Sequence, residues 1–284
     1  MRILLLGTAA IALSGCSWLG LGKSNQQQSY QNYQQQNAYY GQTANRAPVS
    51  NCNSGNCLSR WNLEAAIGPE FTTGGNRFVT GDFTNPASAA DIRTIGADDA
   101  FSTGYRAELG GSYAVSPNRK IIGNVYYANS EGEENLNLGT IGGDQLTGTF
   151  SDHTSYGAEL GVRQYFNPVR APLLKSIRPY VQGRVGLARV ESIDLQDTTL
   201  AGAAFAADDI PFYESDWVGS ASGMVGIETP LTKYSTIALE TGIRYVDNLD
   251  QDNTVLGFPN TLAGINQGGA RTTVPLMLRG RYRF

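Results

Sequence analysis

Apolar and polar residues alternate along the chain from residue 60 to the C-terminus. The alternation is clearest in the final segment, 271–284. Successive side chains of a β-strand point to opposite faces, so this segment is predicted to be a strand with one apolar and one charged face. The apolar face carries Val274, Leu276, Leu278, Gly280, Tyr282 and Phe284, and the other face carries Pro275, Met277, Arg279, Arg281 and Arg283.

Seven earlier segments have the same two-residue period, which predicts an all-β chain with eight antiparallel strands in total. Each is close to the ~9–11 residues with which a tilted strand crosses a bilayer. The seven segments lie at 61–67, 105–113, 121–127, 156–165, 180–187, 217–228 and 237–245.

Aromatic residues recur near the ends of the apolar faces of these segments. The interfacial belts of membrane barrels occupy the same positions, so the apolar faces are predicted to meet lipid. The belt residues expected on this basis are Trp61, Tyr105, Tyr113, Tyr127, Tyr156, Trp217, Tyr245 and Tyr282.

The connections between the predicted strands alternate in length. Long connections without apolar periodicity are uncommon in compact soluble domains, whereas outer-membrane barrels combine short periplasmic turns with long external loops. We therefore predict a transmembrane up-and-down β-barrel with periplasmic termini and extracellular loops. The short connections are 116–119, 167–177 and 230–234, and the long ones are 72–100, 129–152, 190–215 and 247–270.

Charge follows the same division. The long connections contain no lysine, and all four lysines of the chain lie in the short connections, at their edges or near the N-terminus. The predicted extracellular end is therefore acidic, and its acids include Glu131, Glu133, Glu134, Asp194, Asp197, Asp208, Asp209, Asp250 and Asp252.

The C-terminal sequence Arg281-Tyr282-Arg283-Phe284 ends the chain on an aromatic residue. With the eight alternating segments, residues 59–284 resemble the small eight-stranded outer-membrane barrels of the OmpA transmembrane-domain and opacity-type porin group. The resemblance implies that Tyr282 and Phe284 are recognised by the barrel-insertion machinery. It also implies an outer-membrane location in a bacterium, and it says little about activity.

The N-terminus begins with a positive charge at Arg2, followed by the apolar run 3–13 and Leu13-Ser14-Gly15-Cys16. The run is too short for the ~20 residues of a spanning helix, and its features are those of an export signal. The last four residues resemble the lipobox of bacterial lipoproteins. The resemblance implies a signal peptide at 1–15 and a lipid anchor, including palmitate, on Cys16. The alternative is an ordinary signal peptide cut near Gly15.

Residues 16–58 are rich in Gln, Asn and Tyr and poor in aliphatic side chains. Such a segment buries too little apolar surface to offset the entropy lost on ordering, so we predict a disordered tether. An adhesive segment that contacts peptidoglycan or other copies is the alternative. Cys52 and Cys57 form an even pair in an exported protein, which favours a small disulfide loop.

The polar faces of the strands carry both signs of charge in similar numbers. An eight-stranded barrel has room inside for side chains only, so these residues are expected to pair across the lumen and plug it. A narrow channel for ions or small solutes is the alternative. The predicted lumen set is Glu64, Arg106, Glu108, Glu159, Arg163, Arg184, Glu228, Glu240, Arg244, Arg279 and Arg281.

Two small groups of residues are weak candidates for chemistry. His153 and Ser155 share one strand face and resemble the His-x-Ser pair of outer-membrane lipid A deacylases, which implies a serine esterase as a second alternative. Asp247, Asp250 and Asp252 could bind a hard cation such as Ca²⁺ or Mg²⁺. With one His and three Met in the chain, we expect no cofactor and no enzymatic activity.

A structural or surface-interaction role in the outer membrane is therefore the function that the sequence favours. The expected partners are outer-membrane lipid, lipopolysaccharide and the insertion machinery, with a surface layer or peptidoglycan as further candidates. A net charge of −4 with acidic exposed loops argues against nucleic acid.

Overall fold

A computed structural model describes residues 60–75, 77–79, 84–85, 90–169, 176–204, 209–250, 265–266 and 268–283. The predicted signal peptide and tether lie outside the described residues. So do Cys16, Cys52, Cys57, Asp252 and Phe284.

The described residues form strands, with one short helix, α1 (Ala97–Ala100). None of the helices in this part of the chain is long and apolar enough to span a membrane. The strands are β1 (Trp61–Gly75), β2 (Arg77–Val79), β3 (Thr84–Asn85), β4 (Ala90–Ile92), β5 (Ile95–Gly96), β6 (Gly104–Ser116), β7 (Arg119–Ser130), β8 (Leu136–Ile141), β9 (Asp144–Phe150), β10 (His153–Tyr165), β11 (Arg178–Val190), β12 (Ile193–Leu200), β13 (Ala203–Ala204), β14 (Ile210–Tyr213), β15 (Asp216–Pro230), β16 (Ser235–Val246) and β17 (Arg271–Arg283).

Eight long strands close into one antiparallel barrel in the order β1-β6-β7-β10-β11-β15-β16-β17. Each strand pairs with the next long strand along the chain, and β17 pairs with β1 to close the ring, as at Leu63 and Tyr282. The prediction of an all-β, eight-stranded, up-and-down antiparallel barrel is confirmed. The first seven barrel strands are longer than predicted, and the eight strands have 12 to 15 residues each.

The two-residue period of the sequence divides the barrel into an outer and an inner face. Leu160 and Leu278 are 67% and 50% exposed, whereas their neighbours Glu159 and Arg279 are each 2% exposed. The apolar residues thus point outwards and the charged residues point inwards, which is the reverse of a water-soluble sandwich.

The long connections differ from the prediction, because they contain regular structure. They form a second sheet in the order β13-β12-β9-β8-β4-β3, with β14 also on β12, and a separate β2-β5 pair. The β8-β9 hairpin turns at Gly142 and Gly143, whose φ angles of 64° and 92° suit glycine. These strands are mostly short, and several pair between different connections, so alternation within one connection does not reveal them.

We call the structured connections β2–β5, α1, β8–β9 and β12–β14 the cap. Aromatic side chains from three connections meet in its core. The Phe78 ring lies 5.0 Å from the rings of Phe101 and Phe150 at nearly perpendicular angles, a favourable edge-to-face arrangement. The Tyr213 hydroxyl donates a 2.7 Å hydrogen bond to the Phe78 carbonyl. The same apolar cluster includes barrel residues Tyr126, Ala128, Ala188, Val190, Val218 and Val246, so the cap packs directly on one end of the barrel.

Candidate functional site

The interior of the barrel is filled with charged side chains that form a single network. The structure places all of the predicted lumen residues inside, and ion pairs join them from strand to strand. Glu228 is the most exposed, with 12% of its side chain accessible. The network contains six carboxylates, Glu64, Glu70, Glu108, Glu159, Glu228 and Glu240, and six guanidinium groups, Arg106, Arg163, Arg184, Arg244, Arg279 and Arg281.

Glu70 is a member of this network that the sequence interpretation missed. Its carboxylate lies 3.3 Å from Arg244 Nη1 and accepts a hydrogen bond from the Thr273 hydroxyl. Position 70 continues the even-numbered inward face of Asn62 and Glu64. The predicted strand ended at residue 67 before Pro69, although the observed strand continues to Gly75.

Glu240 on β16 is the most highly connected carboxylate. It accepts hydrogen bonds from Arg279 Nε at 2.7 Å and from Arg281 Nη2 at 2.8 Å. Its carboxylate also accepts from the Tyr180 hydroxyl and, at 3.2 Å, from the Gln182 amide. Glu240 is 1% exposed, so these partners rather than water stabilise its negative charge.

Glu108 and Glu159 connect the middle of the barrel to its capped end. Arg106 donates to Glu108 at 2.7 Å and to Glu159 at 3.0 Å, and Arg184 lies 2.9 Å from Glu108. Arg244 Nε reaches Glu159 at 3.3 Å. Glu108 and Glu159 therefore each contact more than one guanidinium group.

Glu64 completes the network on the side of the short turns. Arg163 binds it through two parallel hydrogen bonds of 2.8 and 2.9 Å, the fork geometry that makes guanidinium–carboxylate pairs strong. Arg281 bridges Glu64 and Glu228. Paired charges therefore extend through the lumen from the turn end to the capped end.

Tyr126 marks the boundary between this network and the cap. Its ring contacts two guanidinium groups, with Arg106 Cζ at 3.7 Å and Arg244 Cζ at 4.5 Å from the ring centroid. Such contacts are attractive because the ring faces carry partial negative charge. The ring also belongs to the apolar cluster of the cap, so the charged and apolar layers are continuous.

His153 and Ser155, the weak catalytic candidates, lie beneath the cap and are 4% and 1% exposed. The imidazole packs edge-on against Phe101, with ring centroids 5.5 Å apart. His153 lies three residues beyond the belt residue Tyr156, and its burial, together with the Arg271 cation, lowers its pKa well below the usual range. The charged groups that act on this ring within the described residues are guanidinium groups, so no orienting carboxylate is placed beside it.

The acidic candidates for a cation site lie at the start of the fourth long connection. Asp247 accepts hydrogen bonds from the Tyr245 hydroxyl at 3.2 Å and from the Asn248 amide at 2.8 Å. Within the described part of the chain, no three His, Cys, Asp or Glu residues are grouped to hold a metal ion.

The outer surface of the barrel carries exposed aromatic residues near both ends. At the turn end, the rings of Trp61 and Tyr113 lie 4.9 Å apart, and at the capped end those of Tyr105 and Tyr127 lie 6.0 Å apart. The surface between these two belts is aliphatic. Its exposed residues include Leu63, Ile67, Leu109, Ile121, Val125, Leu160, Val185, Leu187, Val225, Leu239, Ile243 and Leu278.

No protein-family model matches the chain, and no curated protein matches it in sequence. Among solved structures, it resembles Neisserial surface protein A, with 13% identity over 81% of this chain and 100% of that one, and a TM-score of 0.39. OprG of Pseudomonas aeruginosa is 12% identical over 80% of this chain and 97% of its own, with a TM-score of 0.38. Ail of Yersinia pestis, solved with the heparin analogue sucrose octasulfate, is 14% identical over 79% and 99%, with a TM-score of 0.32.

Proposed function

We propose that this protein is a bacterial outer-membrane barrel with a structural and surface-interaction role, whose lumen is closed to solutes. The observation that carries the proposal is that paired charges occupy the inner face of the barrel and that the cap packs on one of its ends. The proposal has three parts, namely the membrane location, the closed lumen and the exposed cap.

The outer surface supports the membrane location. Soluble monomers rarely expose continuous apolar patches larger than a few hundred Å², and larger patches mark membrane or partner contacts. Here large apolar side chains such as Leu160 and Ile243, 67% and 60% exposed, surround the barrel between two aromatic belts. This band matches the lipid-facing surface of an outer-membrane barrel.

The lumen network supports a closed barrel rather than a narrow channel. The six carboxylates and six guanidinium groups of the network are equal in number, and each is paired with a group of opposite charge. A permeating ion would have to separate pairs such as Arg163 and Glu64, which two hydrogen bonds join. Separation would leave buried charges without partners, which is energetically costly. Above them, the aromatic core of the cap covers the lumen.

The outer side of the cap supports a surface-interaction role. Its acids, among them Asp98, Asp99, Glu131 and Asp209, are exposed to solvent. In the proposed orientation this surface lies outside the cell, where divalent cations can bridge carboxylates to the phosphates of lipopolysaccharide. The short turns and the termini then face the periplasm.

A lipid A esterase has less support, because Ser155 is buried beneath the cap and away from the acyl region. Mass spectrometry of lipid A from cells that express the protein or its Ser155→Ala variant tests this alternative. We expect the same acylation in both samples, and a deacylated species that disappears in the variant would establish the esterase.

The lipid anchor on Cys16 is part of the proposal and is independent of the barrel. Cells grown with labelled palmitate should incorporate label into the wild-type protein and not into Cys16→Ala. Incorporation that persists in the variant would contradict the anchor and leave the barrel assignment intact.

Planar-bilayer recording and surface labelling together test the closed, outward-facing barrel. We expect no steady conductance from purified protein and labelling of Asp98→Cys, but not Lys233→Cys, by a membrane-impermeant maleimide on intact cells. The two positions are exposed on opposite ends of the barrel, and the wild-type chain gives the background from its own cysteines. Stable unitary currents would favour the channel, and labelling of Lys233→Cys alone would indicate the opposite orientation in the membrane.

A further inference from the structure

Arg271, the first residue of β17, differs from the six arginines of the lumen network. Its side chain crosses the mouth of the lumen beneath the cap and is 6% exposed. Its Nε and Nη2 donate to the Thr72 hydroxyl at 3.0 and 2.5 Å, and Nη2 also donates to the Ser130 hydroxyl at 2.7 Å. Within the described residues, no carboxylate lies within 4.0 Å of it, whereas every arginine of the network has one.

The partners of Arg271 hold the guanidinium group in place without balancing its charge. Thr72 and Ser130 are neutral, and both hydroxyl oxygens act as acceptors towards it. Their own protons therefore remain to be donated, and no acceptor for them is found in the part of the chain that the structure describes. Two hydroxyl donors are thus fixed beside a buried cation.

His153 adds a third polar group to the same place. Its backbone pairs with that of Ser130 in the β7-β10 ladder, and both Arg271 and His153 contact the Phe101 ring, with the Arg271 guanidinium carbon and the His153 ring centroid at 5.6 and 5.5 Å from the Phe101 centroid. His153 Nδ1 is buried without a hydrogen-bond partner among the described residues. An imidazole N–H in this position would be a further donor.

The charged groups around the lumen mouth carry an excess of positive charge, which favours an anion as the hydrogen-bond donors do. Around the lumen mouth, the guanidinium groups of Arg106, Arg244 and Arg271 face the carboxylates of Glu70 and Glu159. Arg106 Nη1 and Arg244 Nη2 are also buried without partners in the described structure. One positive charge is therefore left over in a region of low solvent access, which is strongly unfavourable without an anion.

We propose that the lumen mouth is a binding site for one small monovalent inorganic anion of the halide class, held by Arg271, Thr72, Ser130 and His153. The single excess charge selects a monovalent ion. The low exposure of Arg271 and His153, 6% and 4%, and the Phe101 ring that contacts both of them favour a small ion. The bound anion joins the cap to the charge network, so its loss loosens the cap. This inference depends on the closed barrel and cap, and it holds whether or not the proposed surface role is correct.

Thermal unfolding of the purified full chain in detergent, with chloride exchanged for gluconate at constant ionic strength, tests the site. Binding to the folded state alone raises the unfolding temperature with the logarithm of the anion concentration above the dissociation constant. We expect this rise for the wild type and for the control Arg189→Gln, which removes a cation at the same end of the barrel. Arg271→Gln should show no rise.

Thr72→Val provides a second variant of nearly unchanged shape in case Arg271→Gln does not fold. Loss of one hydrogen bond to an anion should weaken the apparent chloride affinity about tenfold or more. Crystals soaked in bromide should show an anomalous peak between the side chains of Arg271 and Ser130. Identical unfolding temperatures in chloride and gluconate, an equal chloride effect in Arg271→Gln, or bromide peaks at surface positions only would each overturn the proposal.

Discussion

Glu240→Gln is the sharpest test of the lumen network, because it removes one charge and almost no volume. In the folded protein Glu240 lies 2.7 Å from Arg279 and 2.8 Å from Arg281, and it is 1% exposed. Removing one partner of a buried ion pair costs about 3–5 kcal/mol, because the remaining charge stays buried. Both arginines keep two other carboxylates, which are Glu64 and Glu108 for Arg279 and Glu64 and Glu228 for Arg281. We therefore place the loss near the lower end, at about 3 kcal/mol.

Equilibrium unfolding in urea, with the protein inserted in lipid vesicles, measures this loss. Glu131→Gln is the matched control, since it removes the same charge from an exposed position on the cap and should leave the unfolding free energy unchanged. The double variant Glu240→Gln with Arg279→Met should lose less than the sum of the two single variants, because it restores the charge balance. A loss below about 1 kcal/mol, or strict additivity, would show that the charges do not act as a buried network.

Three further changes test other parts of the molecule. Leu160→Arg places a charge in the middle of the apolar band and should reduce the free energy of folding into vesicles by about 2–4 kcal/mol; an unchanged value would contradict lipid contact. Phe78→Ala removes the central ring of the cap and should lower the stability of the cap by about 3–5 kcal/mol. A protease should then cut the cap, while the unheated barrel should still migrate as a folded protein on a gel. The lowered pKa of His153 means that the unfolded chain, with a pKa of about 6.5, binds a proton first as pH falls. This group should therefore leave the stability unchanged above pH ~6.5 and lower it as the pH decreases further. The His153→Leu variant should lose this contribution to the pH dependence of the unfolding temperature, measured between pH 7.5 and 5.

The barrel could be predicted from the sequence because a strand with one face in each environment has a strict two-residue period. Leu160 and Glu159 are neighbours in sequence, yet Leu160 is 67% exposed and Glu159 is 2% exposed. The same period assigned the inward charges to the lumen. It missed Glu70 because the alternation was followed only to residue 67, whereas the observed strand continues to Gly75.

The cap and the isolated charge of Arg271 could not be predicted in this way. The cap strands are as short as two residues, and partners such as β4 and β8 come from different connections. Arg271 and Ser130 are 141 positions apart in sequence and meet only because the barrel closes. Local pattern contains no information about which charged side chain meets a carboxylate across the lumen. The isolation of Arg271 is therefore visible only in three dimensions.

Fluorescence quenching by brominated lipids is the most direct test of contact between the outer surface of the barrel and acyl chains. Trp61 and Trp217, 59% and 54% exposed, lie near opposite ends of the outer surface, and the remaining tryptophan, Trp18, can be replaced by phenylalanine. In vesicles, single-tryptophan variants should be quenched at both positions, more strongly by bromine near the headgroup than by bromine near the chain end. A chain that folds as a monomer in detergent-free buffer, with neither tryptophan quenched by lipid, would contradict the account.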